Sequence, residues 1–354
     1  MCRTKTDTGM ATIRKNYSLL THNTFHIDAN ARLFITYESV EDLRQTAARL
    51  CNIFPHLPVL HIGGGSNLLF LKDYDGVVLH SAIKTIEIIE ENNEQIILRA
   101  GAAVKWDDLV AWCTEQGFYG LENLSLIPGE TGAAAIQNIG AYGAEAKDVV
   151  DKVETIDLRD GTTKTFQNKD CSYAYRDSLF KHEYGRYAVT HVRFRLSRRF
   201  IPNLTYGNIR ETLYSKGIEP TKVTAAQMRQ VICAIRRAKL PDPNVTGNAG
   251  SFFKNPLLSP DAYDKLQKLI PGLPRYESSD GIKVPAAKLI EFCGWKGRSL
   301  GRAAVWDKQA LVLINKGGAS GKEIYDLSQA IRADVLKKLH VEITPEVNII
   351  GKEA

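Results

Sequence analysis

Cysteine is sparse and never in a chelating arrangement. The six cysteines, Cys2, Cys51, Cys113, Cys171, Cys233 and Cys293, are scattered and no two form a C-x-x-C pair. That spacing excludes the usual zinc patterns and a redox dithiol, so no metal is expected. A disulfide framework belongs to short secreted chains; at 354 residues reduced thiols in a cytoplasm are the expectation. Long apolar runs are absent too. Nothing approaches the ~20 residues needed to span a bilayer. The opening stretch MCRTKTDTGMATIRKNYS lacks the apolar core of a signal peptide, and residues 1–16 are expected to be a disordered tail. There is no repeat, no low-complexity segment and no basic patch interleaved with aromatics of the kind nucleic-acid binding requires. The net charge of +6 is spread out; its densest run, 193–199 (RFRLSRR), reads as a solvated strand end. Neither nucleic acid nor a membrane is an expected partner. A mild positive charge suits anionic small substrates.

What is present is a globular composition. With 44% hydrophobic residues, the chain can build two or three domains with real cores. Residues 33–37 (LFITY), 59–62, 76–80 (GVVLH), 85–89 (TIEII) and 95–100 (QIILRA) read as strands. Residues 40–50 and 106–116 read as amphipathic helices. Strand alternation returns at 150–158 and 187–196. From about 224 the texture changes. Helices are expected over 225–238, stopped by Pro241 and Pro243, and over 261–269, 285–293 and 320–339. Strands are expected at 310–315 and 341–351. Two α+β units follow, with their join in the polar stretch 201–224.

Five segments could carry chemistry. The first is a strand running into Gly63, Gly64, Gly65, Ser66 and Asn67. Glycines let backbone N–H groups turn toward an anion; a plain tight turn explains them equally well. A G-x-G-x-x-G frame starting at Gly63 ends on Leu68, so this is not a Rossmann fingerprint. The second runs from Pro128 and Gly129 through Thr131, Gly132, Gln137 and Asn138 to Gly140, Ala141 and Tyr142. Such a run builds a poor core but suits something large and flat laid against backbone. Close packing of two backbone segments is the plainer explanation. The third holds Arg176 among tyrosines, where it could instead pair structurally with Asp177 or Glu183. The fourth places Ser251 after a glycine in a turn-rich loop. Its flanks, Ala249 and Phe253, do not make a G-x-S-x-G nucleophile elbow, but a held hydroxyl can still donate a proton. The fifth is Glu346 in ITPEV, which nothing local marks as functional.

Together these segments resemble the UDP-N-acetylenolpyruvoylglucosamine reductase (UDP-N-acetylmuramate dehydrogenase) family. The resemblance covers nearly all of 16–351. It rests on GGGSNLL, IPGETGAAAIQNIGAYG, YAYRDSLFK, KLPDPNVTGNAGSFFKNP, FCGWKGRSLGRAAVWDKQALVLIN and ITPEV in this order. It implies an FAD-binding fold of the vanillyl-alcohol-oxidase type with two subdomains over 17–224, completed by a strand from 341–354. A C-terminal α+β substrate-binding domain would occupy 225–340. Residues 204–207 (LTYG) look like the branch with an extra tyrosine-bearing loop. Where the family has Gly-Ala-Gly-Glu-X-Trp, this chain has Ala103 and Val104 at the third and fourth positions.

The resemblance also implies roles. Arg176, Ser251 and Glu346 stand at catalytic positions. The glycine stretches named above stand at positions for a non-covalent FAD. Tyr206, Lys239, Asn255, Tyr276 and Gln309 stand at substrate positions. Hydride would pass from NADPH through FAD to the enolpyruvyl group of a UDP-sugar, in a monomeric cytoplasmic enzyme of cell-wall precursor synthesis. Two other readings remain open: a flavin oxidoreductase of the same fold acting on a small alcohol or sugar, and a nucleotide-sugar or RNA binding module with salt-dependent affinity.

Overall fold

The computed structural model describes residues 11–53, 56–206, 208–278 and 281–352. Its first element is a strand, β1 (Thr12–Ser18), lying beside β2 (Asn30–Tyr37). The disordered tail expected over 1–16 is therefore corrected for 12–16; residues 1–10 lie outside the described residues. The side chains of β1 are almost all exposed, so it carries no apolar pattern. Pairing at a sheet edge asks only for backbone groups.

Helix α1 (Val40–Ile53) follows, then β3 (Val59–Ile62), β4 (Leu68–Phe70), β5 (Tyr74–Ser81), β6 (Ile86–Glu91) and β7 (Gln95–Gly101). The first sheet is ordered β1-β2-β5-β3, with β3 and β5 parallel. Its core joins Leu33, Ile35 and Tyr37 to Leu43, Ala47 and Leu50 of α1. Next come α2 (Trp106–Gln116), α3 (Thr131–Gln137), the short ladder of β8 (Gly140–Ala141) and β9 (Ala144–Glu145), β10 (Val150–Asp157), β11 (Thr163–Gln167), α4 (Leu179–His182) and β12 (Tyr187–Ser197). Helix α2 stops at Gly117, whose left-handed φ of 74° is easy for glycine. The second sheet runs β11-β10-β12-β7-β6. Trp106, Leu109 and Val110 of α2 and Ala134 and Ala135 of α3 join its core. The basic run at the end of β12 is paired: Arg193 meets Glu154, Arg195 meets Asp151, and Arg198 meets Glu91.

Helices α5 (Ile209–Ser215) and α6 (Ala225–Lys239) bury Leu213, Met228, Val231 and Ile232 against Leu204. The remainder comprises β13 (Gly247–Ser251), β14 (Leu257–Leu258), α7 (Pro260–Leu269), β15 (Tyr276–Ser278), β16 (Gly281–Lys283), α8 (Ala286–Phe292), β17 (Ser299–Leu300), β18 (Ala303–Val305), β19 (Val312–Asn315), α9 (Gly321–Leu339) and β20 (Asn348–Ile350). One sheet is ordered β13-β19-β18-β17 and another β14-β16-β15. Helix α9 starts in a capping box between Ser320 and Glu323. The strand expected over 341–351 is confined to β20, which pairs in parallel with β4. Pro345 has no N–H to give a ladder.

The elements fall into two compact units. One takes the chain up to Tyr17, then Ala31–Gly64 and Asp75–Arg236; the other takes Ser18–Asn30, Gly65–Tyr74 and the chain from Arg237 onward. The two early segments of the second unit are tied there by backbone. Asn248 N–H donates to Thr24 O at 2.8 Å, Asn315 Nδ2 to Phe25 O at 2.9 Å, and Thr24 N–H to Gly65 O at 3.2 Å. Cys113, Cys171, Cys233 and Cys293 are buried free thiols. Burial pushes Cys113 up to about 12 and Cys171 up to about 11, which keeps both protonated. Among the described residues no helix is long and apolar enough to cross a membrane, and no group of three His, Cys, Asp or Glu could hold a metal.

Candidate functional site

In the first unit the two glycine-rich stretches meet. A Cβ on Gly63 would lie 3.2 Å from Glu130 Oε2 and 3.3 Å from the Ala133 Cβ; one on Gly64 would lie 3.7 Å from the Gly129 Cα. Gly63 thus lies against the Glu130 and Ala133 side chains, and Gly64 against the Gly129 backbone and the Glu130 side chain. Glycine-rich loops brought together in this way could hold a large cofactor through backbone groups.

Side chains of the second stretch differ in where they point. Thr131 is buried and its hydroxyl donates to Val104 O at 3.0 Å. A Cβ on Gly132 would come within 2.8 Å of the Ala102 Cβ, so this glycine serves close packing of α3 on the residues after β7. Asn138 is buried and left-handed at φ 45°. Its Nδ2 donates to Ala174 O at 2.8 Å and Glu145 Oε2 at 3.1 Å, and its Oδ1 accepts from Lys147 N–H at 3.0 Å. Thr131 and Asn138 therefore spend side-chain hydrogen bonds on shaping the loop. Pro128 is exposed and Gln137 half-buried; Ala141 pairs with Ala144. Tyr142, left-handed at φ 51°, stands edge-on to Tyr206 with ring centroids 6.3 Å apart. Burial pushes the Tyr142 hydroxyl up, against the opposing pull of Arg236. Tyr206 is 40% exposed; the Gly207 that follows it lies outside the described residues.

Arg176 belongs to the same unit. Its backbone is left-handed at φ 55°. The guanidinium reaches Gly140 O through Nη2 and Asn138 O through Nη1 at 3.4 Å, and lies 5.3 Å over the Tyr175 ring. The two carboxylates that the sequence offered it, Asp177 and Glu183, have other partners. Asp177 meets His182 at 2.7 Å and Glu183 meets Arg186 at 2.8 Å. A positive side chain is thus held at the end of the second glycine stretch by carbonyl oxygens.

In the second unit Gly65 is the sharpest turn of the cluster. Its φ is +64° and an added Cβ would sit 2.0 Å from His22 O, so only glycine fits. Asn67 Nδ2 donates to Glu346 O at 3.3 Å, and Asn67 O accepts from Asn348 N–H at 3.0 Å; Ser66 precedes it in the turn leading to β4. Ser251 ends β13 beyond a bulge in the β13–β19 pairing. The bulge contains Gly250, left-handed at φ 68°, whose N–H is held by Asn248 Oδ1 at 2.9 Å. Residues 344–346 run beside 252–254. Glu346 N–H donates to Phe252 O at 2.8 Å, Lys254 N–H donates to Thr344 O at 2.9 Å, and Phe253 bridges to Pro345. The structure therefore brings Asn67, the flank of Ser251, and Glu346 into one neighbourhood from three distant parts of the chain.

The other expected substrate residues of this unit are dispersed over its elements. Lys239 ends α6 and its carbonyl accepts from Trp306 Nε1 at 3.1 Å. Asn255 Oδ1 accepts from Ala286 N–H at 3.0 Å, at the start of α8. Tyr276 opens β15 and is exposed. Gln309 Oε1 accepts from Leu311 N–H at 3.4 Å.

Sequence reasoning missed one group. Tyr37, His61, His80 and Glu130 cluster behind Gly63. The Tyr37 hydroxyl is 2.7 Å from His61 Nε2 and His80 Nε2 is 3.7 Å from Glu130 Oε1. The available signal was one acidic residue in a run otherwise of Gly, Ala and small polar groups.

Comparison with known proteins agrees with this geometry. Residues 31–167 match a family described as FAD binding domain, and residues 242–350 match the UDP-N-acetylenolpyruvoylglucosamine reductase C-terminal domain. The chain is 49% identical over 342 residues to a UDP-N-acetylenolpyruvoylglucosamine reductase of Bacteroides fragilis, covering 96% of this chain and 100% of that one. It is 45% identical to one from Pseudomonas aeruginosa, covering 95% and 98%. Among solved structures, the reductase of that name from Thermus caldophilus aligns at TM-score 0.66 and 22% identity over 96% of this chain and 98% of its own. A 6-hydroxy-D-nicotine oxidase from Arthrobacter nicotinovorans aligns at 0.54 and 12% over 95% and 88%. These two likenesses are of fold, and they bear out the FAD-binding architecture of the vanillyl-alcohol-oxidase type with a C-terminal α+β part.

Proposed function

The chain belongs to the UDP-N-acetylenolpyruvoylglucosamine reductase family of FAD-dependent oxidoreductases, and from that premise we propose that it reduces the enolpyruvyl ether of UDP-N-acetylglucosamine to UDP-N-acetylmuramate, with NADPH as hydride donor, for peptidoglycan precursor synthesis. The observation that most supports this chemistry is the pairing of the segment bearing Glu346 with the one following Ser251, Glu346 N–H to Phe252 O. It sets a hydroxyl and a carboxylate on adjoining backbone. FAD, held non-covalently by backbone of the two glycine stretches, supplies the hydride carrier when bound.

The chain's own residues supply electrostatics and a proton. Hydride addition to the enolpyruvyl methylene carbon leaves negative charge on the neighbouring carbon and its carboxylate. The Arg176 guanidinium stabilises that charge. Glu346, as a carboxylic acid, would donate a hydrogen bond to the substrate carboxylate and so hold and polarise it. Ser251 Oγ delivers the proton to the carbon bearing the carboxylate. Lys239 by charge and Tyr206 by its hydroxyl suit the diphosphate, and Asn255, Tyr276 and Gln309 add hydrogen bonds to the nucleotide sugar. A monomer in the cytoplasm, working on these small molecules, is the setting we propose.

The test is an anaerobic absorbance experiment on the purified protein. Its flavin spectrum should bleach with NADPH and recover on adding the UDP-linked enolpyruvyl sugar. Bleaching without recovery would keep the flavoprotein and remove the proposed acceptor.

A further inference from the structure

Two asparagines that the chemistry above does not use fasten the tyrosine-bearing segment to the end of the second glycine stretch. Asn123 lies in a short turn of 3-10 helix, Glu122–Leu124, and is buried between the buried Leu121 and Leu124. Its Nδ2 donates to Tyr142 O at 2.8 Å and to Asn203 O at 3.0 Å. Both partners are carbonyl oxygens, so only the amide nitrogen can face them, and each of its two hydrogens is spent on a different segment. Asn203 returns the contact. Its Nδ2 donates to Gly143 O at 3.0 Å, and its Oδ1 accepts from Thr205 N–H at 3.3 Å and from the Thr205 hydroxyl at 2.7 Å.

These bonds bear on Tyr206 because of what lies between them. Leu204 is buried in the core of α5 and α6, and Tyr142 packs against the same core. One apolar anchor fixes the depth of the segment and leaves its direction free. The Asn203 bonds on one side of Leu204 and Thr205 on the other set that direction. Gly143, left-handed at φ 78°, has no side chain to hold the segment away: a methyl group there would stand 3.4 Å from Asn203 Nδ2, Thr205 Oγ1 and Tyr206 Cβ. Asn123 then refers the segment to the Tyr142 backbone and so to the glycine stretch. A buried amide is costly unless both its donors are satisfied, and an apolar residue would fill the place between two leucines at less risk. Its value lies in fixing a position.

We infer that Asn123 and Asn203 are positioning residues for Tyr206, holding its segment against the Tyr142–Gly143 turn so that the tyrosine meets the diphosphate of the bound nucleotide sugar. This rests on the reading of Tyr206 as a substrate residue. A segment set in place before the sugar arrives spares the ordering that binding would otherwise require, so the effect falls on substrate binding.

The experiment uses the full-length flavoprotein, reduced anaerobically with one equivalent of dithionite and mixed with the UDP-linked enolpyruvyl sugar in stopped-flow absorbance. Asn203→Ala should raise the half-saturating sugar concentration about 3- to 10-fold, the range for one neutral hydrogen bond. Asn123→Ala, which strands two carbonyls, should raise it about 10-fold or more. The limiting rate should stay within about twofold in both, the pattern for lost binding that is equal in ground and transition states. Asn203 is only half-buried and keeps the test open if Asn123→Ala folds poorly. The decisive measurement is a double-mutant cycle. In a Tyr206→Ala background, Asn203→Ala should have little further effect, because its action passes through the tyrosine. The same factor with and without Tyr206 overturns the inference and leaves the asparagines as loop structure alone. So does an unchanged half-saturating concentration in both asparagine variants. If Tyr206→Ala by itself changes nothing, the substrate role of Tyr206 fails and takes this inference with it.

Discussion

Asn67 donates its side-chain amide to the backbone carbonyl of Glu346 at 3.3 Å, while the N–H of the same glutamate is held by Phe252 O at 2.8 Å. The glutamate's peptide groups are thus fixed from both sides within one compact unit. Asn67→Ala removes one of the two restraints. We expect reoxidation of reduced flavin by the UDP-sugar to slow about 3- to 10-fold at saturating FAD, the worth of one neutral hydrogen bond. Stopped-flow absorbance reads it. An unchanged rate would mean Phe252 alone positions Glu346.

Ser251→Ala should separate the two half-reactions. Removing a positioned proton donor costs about 10²- to 10⁴-fold in the step that uses it. Flavin reduction by NADPH should be nearly unchanged, and reoxidation by the sugar should carry the loss. Equal slowing of both would reject Ser251 as the donor.

Arg176→Lys keeps the charge and loses the planar fork that rests on the Asn138 and Gly140 carbonyls. An ammonium cannot span both acceptors in the same way. Reoxidation should fall about 10-fold or more. Near-normal turnover with a lowered melting temperature would assign Arg176 to loop structure instead.

Gly64 and Gly65 are neighbours with opposite tolerance. At Gly64 the nearest atom to an added Cβ is 3.7 Å away, ordinary contact; at Gly65, with φ +64°, it is the His22 carbonyl at 2.0 Å. Gly65→Ala should destabilise by about 3 kcal/mol or more, and Gly64→Ala by about 1 kcal/mol or less. Urea unfolding of the stripped proteins measures both. Similar midpoints for the two variants would contradict the turn described at Gly65.

Acid should weaken the fold between about pH 6.5 and 4. Burial and the neighbouring Arg99 hold His191 down at about 4, from an ordinary value of 6.5. Its folded-state value is depressed, so the unfolded chain takes up its proton first as pH falls. Stability is fully present above 6.5, declines through the window and levels off below 4 for this group. The loss from one such buried histidine is ~1–3 kcal/mol, and His61 acts in the same direction. His191→Gln should flatten the pH dependence of the melting temperature. An unaltered slope would show that His191 has no part in acid unfolding.

Much of the local structure was legible in the residues. Periodicity placed α1, α2, α6 and α9 close to their observed bounds, because each buries one apolar stripe. The chemistry proposed for Arg176, Ser251 and Glu346 rests on resemblance and was not legible in the residues themselves. Nothing near Glu346 marks it, since its partners, Phe252 and Asn67, lie far away in the chain. Strand β1 escaped notice because edge pairing leaves its side chains in water. Glu130 escaped because a carboxylate in a small-residue run looks like any exposed acid until His80 and Gly63 close around it.

Composition, periodicity and motif order by themselves determined the α+β elements, the absence of chelating cysteine pairs and the two glycine stretches. These depend on local backbone geometry and on which face of an element is apolar. Only the tertiary structure decided that segments 18–30 and 65–74 join the C-terminal unit, that β20 pairs with β4, and that Gly63 faces Glu130. Those are pairings of backbone groups across long stretches of chain. A backbone N–H or C=O is the same in almost every residue, so its distant partner leaves no trace in the sequence.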